Sequence, residues 1–133
     1  MNLEELLLAI KENTYCRLQV SPIHGVGVFA IKKINMGADP FKDAPKESKI
    51  IHKVRHKDLE DLENDLKRYV YDMYISDSDF VYFEDLTPNN LPIYYRMNHS
   101  DKPNMMWDKD SYCFVPLKGI NKGEELLIDY GKY

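Results

Sequence analysis

Every run in this chain that reads as extended is short, and Gly, Pro, Asn, Asp and Ser punctuate the chain between them. Residues 15–20 alternate in polarity, 26–30 resume extended character after Ser21-Pro22-Ile23-His24-Gly25, and 80–83, 111–117 and 126–130 follow. Many short strands separated by turn residues predict a mainly β chain with two short helices attached. At 133 residues the chain is one domain's worth and can bury a real core.

The first helix is expected over residues 3–12, within an N-terminal segment 1–14. Asn2 and Glu5 have capping-box spacing, and Leu3, Leu6, Leu7 and Ile10 recur at helical intervals. Core packing is the bland reading of that stripe, and a partner-binding helix is the functional one. Leu59, Leu62 and Leu66 predict a second helix over about 57–68. Residues 69–75 are rich in Tyr and β-branched side chains, which favours a strand, although Met73 also keeps the helical spacing. Ser76-Asp77-Ser78-Asp79 then reads as the turn into a return strand, and 38–50 as mostly loop. Lys33-Ile34-Asn35-Met36-Gly37 and Gly119-Ile120-Asn121-Lys122-Gly123 echo each other.

A net charge of −4 argues against a phosphate-binding surface and suits a basic, lysine-bearing partner better. Cys16 and Cys113 are too few for a cysteine-rich zinc cluster or a disulfide framework. His52 and His56 have metal-sharing spacing but no third ligand nearby, and Lys53, Arg55 and Lys57 crowd them, so no metal is expected. Nothing resembles a signal peptide or a membrane span, so the expectation is a soluble intracellular protein without membrane or direct nucleic-acid partners.

The densest chemistry lies in Tyr94-Tyr95-Arg96-Met97-Asn98-His99-Ser100-Asp101-Lys102-Pro103-Asn104, with Gly25-Val26-Gly27 upstream and Asp129-Tyr130-Gly131 downstream. Taken singly these have bland readings. Asn98 caps a turn, His99 is a core histidine, Arg96 a salt-bridge partner, Tyr130 a packed aromatic, Asp129 a surface acid and Glu124-Glu125 a solvated turn. A lone Gly-x-Gly is more often a hairpin than a ligand loop.

Together, Val20–Ala30, Arg96 through Asn104, and Gly123 through Gly131 resemble the SET domain, the S-adenosylmethionine-dependent protein lysine methyltransferase fold. The resemblance runs from about Arg17 to Tyr133 and assigns 15–133 to that domain, with 57–68 as a helical insert. It implies a β-clip of small curved sheets with a knot-like C-terminal segment, in which the Asn-His motif meets the final Tyr. It implies that His24, Gly25, Val26, Gly27, Arg96, Asn98 and His99 hold S-adenosyl-L-methionine. Tyr130 would line the methyl-transfer channel, with Tyr71 as a second channel tyrosine against Tyr69 and Tyr74. The substrate implied is a lysine in a protein or peptide, with histones in view; the alternative is a non-catalytic SET-like binding module. This chain departs from the family in lacking flanking zinc-binding cysteines and in having Ala38-Asp39-Pro40 after Gly37. It also carries Ile128 where many members place Phe or Tyr, which leaves the number of methyls added open. A second subunit, the first helix or Lys132-Tyr133 are candidates to cover the site.

Overall fold

The computed structural model describes residues 1–46 and 49–132; Glu47 and Ser48 of the expected 38–50 loop, and Tyr133, lie outside the described residues. The chain forms two compact units, one from Met1–Pro45 with Arg96–Tyr133 and one from Lys46–Tyr95.

The first unit opens with helix α1 (Leu3–Asn13), whose Asn2 side chain accepts from the Glu5 amide while the Glu5 carboxylate takes the Asn2 N–H. The start is as expected, but the packing is not. No residue of α1 is buried, and Leu3, Leu6, Leu7 and Ile10 are all exposed. At its other end Lys32 Nζ donates to the Lys11 and Glu12 carbonyls, and Asn13 Nδ2 donates to Asp43 at 2.7 Å.

Strands β1 (Cys16–Val20) and β2 (Val26–Ala30) form the hairpin the alternation predicts, in the register Cys16↔Ala30 to Val20↔Val26. The C-terminal strand β9 (Glu125–Ile128) lies between β2 and the two-residue β6 (Asn98–His99) in a sheet ordered β1-β2-β9-β6. The β2–β9 pair is antiparallel and the β6–β9 pair parallel, with Asn98↔Leu127 and His99↔Ile128. A separate hairpin, β7 (Met105–Asp108) with β8 (Cys113–Pro116), includes a strand that the sequence pattern does not show. The two echoing turns are joined. Ile34 and Ile120, both fully buried, exchange N–H···O bonds of 2.8 Å, and each turn ends in a positive-φ glycine, Gly37 or Gly123. Val28, Met97, Met105, Leu126 and Ile128 are buried in the same unit, as are Phe29, Phe41 and Phe114. Both cysteine thiols are free, and burial pushes that of Cys16 up to about 12.

The second unit corrects the sequence reading. Strand β3 (Ile51–Arg55) leads into a 3-10 turn at His56–Leu59, and the helix α2 spans Asn64–Met73 rather than 57–68. The strand expected over 69–75 is therefore mostly helix, with only β4 (Ile75–Ser76) extended. Val70 and Tyr74, four residues apart, are both buried with Leu59 and Val81, and this packing outweighs the β preference of the Tyr-Val-Tyr run. Strand β5 (Phe80–Glu84) pairs with both β3 and β4. His52, on a strand rather than a helix, bonds Asp85 at 3.0 Å, while His56 turns to Tyr71, so among the described residues the two histidines bond different partners. Among the described residues no helix is long and apolar enough to cross a membrane.

Candidate functional site

The segment around Asn98 clasps β9 along its length. Ser100 N–H donates to the Ile128 carbonyl at 2.9 Å, and Asn104 N–H to the Leu127 carbonyl at 3.1 Å. The buried Asn104 side chain supplies what a further strand would, donating to the Glu125 carbonyl and accepting from the Leu127 N–H, each at 2.8 Å. The Asn-Pro-rich motif is therefore a structural clasp as well as a candidate site.

At one end of β9 a carboxylate organises three segments. Glu125 accepts from Ser21 Oγ at 2.8 Å and from Asn98 Nδ2 at 2.8 Å. Asn98 Nδ2 also donates to the His24 carbonyl at 3.0 Å, and Ser21 Oγ accepts from the Ile23 N–H at 3.0 Å. The turn 21–25 is thus fixed on β9 and β6 by side chains, with Gly25 in the left-handed region at φ 45°. Gly27 has a different reason to be glycine. A Cβ there would lie 2.2 Å from Glu125 Oε2 and 3.1 Å from Asn98 Nδ2, so its smallness makes room for the carboxylate. Glu125 is the residue that sequence reasoning missed, since the solvated-turn reading of Glu124-Glu125 fails for it. Its burial-compatible place opposite Phe29 is visible only once β2 and β9 are paired.

The other end of β9 carries Tyr130. The strand stops at Ile128, so Tyr130 stands in a single 3-10 turn, Tyr130–Lys132, rather than on the expected strand. Its N–H donates to His99 Nδ1 at 3.1 Å, the two rings are 5.2 Å apart, and its hydroxyl donates to the Met97 carbonyl at 2.6 Å. That pattern leaves the His99 ring proton on Nε2, which faces Asp101 Oδ1 at 3.3 Å. Asp129 is no simple surface acid: its Oδ1 accepts from the Gly131 N–H at 3.0 Å and lies 3.8 Å from His99 Nδ1. Although Tyr130 as a whole is 44% exposed, its hydroxyl bond to Met97 is partly buried. Burial first, and the negative charge of Glu125 second, push its phenol above the ordinary value, so it stays protonated at neutral pH.

His24, Gly25, Val26, Gly27, Asn98, His99 and Tyr130 are therefore brought together around β9. Arg96 ends the 3-10 turn Ile93–Arg96, two residues before β6. Tyr71 belongs to the second unit, on α2. Its hydroxyl bonds His56 Nδ1 at 2.6 Å with the rings stacked at 5.7 Å, and His56 Nε2 donates to the Asp77 carbonyl at 2.8 Å. Tyr74, its competitor, is buried with its hydroxyl donating to the Leu86 carbonyl at 2.7 Å.

Residues 25–131 match the family model described as the SET domain, and the chain belongs to that family. No curated protein matches the chain. Among solved structures, a Plasmodium falciparum protein provisionally assigned as a histone methyltransferase matches with a TM-score of 0.42 and 18% identity, covering 90% of this chain and 96% of that one.

Proposed function

We propose that this chain is a protein-lysine N-methyltransferase that uses S-adenosyl-L-methionine and acts on the ε-amine of a lysine in a protein, with histones the first substrates to try. The observation that supports this most is the meeting of the Asn98-His99 segment, paired with β9, with Tyr130 just beyond that strand's end, on the same unit as a glycine turn held by Glu125.

The donor set suits a cationic, amino-acid-bearing cofactor. A carboxylate, the carbonyls of His24 and Met97 and a protonated phenol gather on one unit, and oxygen atoms of this kind favour positive charge. Bound S-adenosyl-L-methionine supplies a methyl group activated by its sulfonium. In this reading the backbone from His24 to Gly27, together with Arg96, Asn98 and His99, holds the cofactor. Tyr130 orients the substrate amine and keeps water from it. The transfer is a displacement that needs alignment more than acid–base chemistry, and the attacking lysine must be neutral. An aromatic, poorly hydrated surround disfavours the ammonium.

Calorimetric titration with S-adenosyl-L-methionine, followed by a methyl-transfer screen on lysine peptides, tests the proposal. Binding with transfer supports it. No binding at millimolar cofactor removes it, and binding without transfer to any peptide or histone points to a module that holds the cofactor but does not turn over.

A further inference from the structure

Helix α1 is built to stand formed in water, yet none of its apolar side chains is buried among the described residues. Its first turn is closed by the Asn2–Glu5 capping box, and its last carbonyls are taken by Lys32, which also lies 4.3 Å over the Tyr15 ring. Leu3 is 70% exposed, Leu7 56% and Ile10 51%. Leu3, Leu6, Leu7 and Ile10 share one face, and a preformed face of this kind meets a partner with little ordering cost.

The charges beside that face choose among partners. Glu4 and Lys11 are seven residues apart, so they fall within about 20° of each other on the same flank of the stripe. A second copy packed antiparallel across a two-fold axis brings like flank to like flank with the direction reversed. Glu4 of each helix then faces Lys11 of the other, Leu3 layers against Ile10, and Leu6 against Leu7. The helix dipoles oppose favourably in the same arrangement. The acidic balance of Glu4, Glu5 and Glu12 against Lys11 disfavours an anionic membrane surface.

From this we infer that α1 is a self-association element, pairing antiparallel with α1 of a second copy of this chain. Eleven residues make a helix only ~16 Å long. The contact is therefore smaller than the ~1,200 Å² typical of stable complexes, and the dimer is weak and concentration-dependent.

Sedimentation equilibrium of the full chain from about 1 to 300 μM reads the outcome, in line with a micromolar or weaker contact. The expected result is a reversible monomer–dimer equilibrium for the wild type and monomer throughout for Leu7→Glu. Because α1 contributes nothing to the core, that variant should keep its fold, checked by circular dichroism. Glu4→Lys and Lys11→Glu should each weaken the dimer tenfold or more when alone. An equimolar mixture of the two should dimerise at least as well as wild type, since both cross-pairs are then attractive. A wild type that stays monomeric at the highest concentration, a dimer that survives Leu7→Glu, or a mixture no better than its components overturns the proposal. The readout is mass alone, so it stands or falls separately from methyl transfer.

Discussion

Gly27 and Glu125 act as a pair: one is small because the other's carboxylate needs the space. At Gly27→Val the new side chain begins 2.2 Å from Glu125 Oε2, so the carboxylate must leave Ser21 and Asn98 or β2 must bend. We expect a stability loss of about 1–3 kcal/mol, the cost of leaving partly buried polar partners unmet, with weaker binding of S-adenosyl-L-methionine. Chemical denaturation and calorimetry on the same samples check this, and an unchanged protein in both would mean that Glu125 does not hold the turn. Tyr130→Phe separates catalysis from support. The ring remains, while the hydroxyl that donates to the Met97 carbonyl is lost, with a stability cost of about 1 kcal/mol. If the hydroxyl also orients the amine, single-turnover transfer should fall on the order of 10²-fold or more while cofactor affinity barely moves. Full activity in the Phe variant removes Tyr130 from the chemistry. The same phenol sets an alkaline limit. Its folded pKa is raised, so its stabilising effect is complete below its unfolded value of 10.0 and fades as the pH climbs through the folded one.

At the scale of elements, the turn before β5 gives an acid-side expectation. Asp77 is held below its ordinary value of 3.8, first by the hydrogen bond from Tyr82 and then by the Phe80 and Asp79 amides. A depressed carboxylate stabilises the fold above the unfolded value, and that contribution is lost as the pH falls through the folded one. Asp77→Asn should therefore flatten the fall in unfolding midpoint that wild type shows roughly between pH 5 and pH 2; an unchanged acid limb would mean that the turn is not coupled to stability. Elements such as these differ in how far the chain discloses them. The β1–β2 hairpin, α1 and the two Gly-ended turns are legible because their signals are local: alternation, a capping box, glycine spacing. Strand β3 is not legible, because four of its five residues are exposed and no polarity alternates along it. The misplaced α2 has a different cause. Its Tyr-Val-Tyr run favours a strand until Val70 and Tyr74 find Leu59 and Val81. In the site, the motif residues are readable but Glu125 is not, since its partner Ser21 lies 104 positions away.

For the whole molecule, the order of the chain determines which part should open first. The unit of Met1–Pro45 and Arg96–Tyr133 is discontinuous, and its central strand β9 pairs with β2 from the front half and β6 from the back. Asn104, buried and bonded twice to β9, closes that arrangement through a side chain. The unit of Lys46–Tyr95 is contiguous and rests on the small cluster of Leu59, Val70, Tyr74 and Val81, with β3 exposed along most of its length. A smaller core and an exposed strand lower the free energy of local opening. Native-state hydrogen exchange should therefore find the amides of β3 and β4 exchanging at least tenfold faster than those of β2 and β9 that face each other. Asn104→Ala should narrow that gap from the protected side. It leaves the Glu125 carbonyl and Leu127 amide without partners, at about 1–3 kcal/mol for each buried group. Mass spectrometry of peptides spanning 51–55, 75–76, 26–30 and 125–128 reads both effects. Equal protection in the wild type would show one cooperative unit, and an Asn104→Ala protein with β9 still fully protected would show that backbone pairing alone holds the strand.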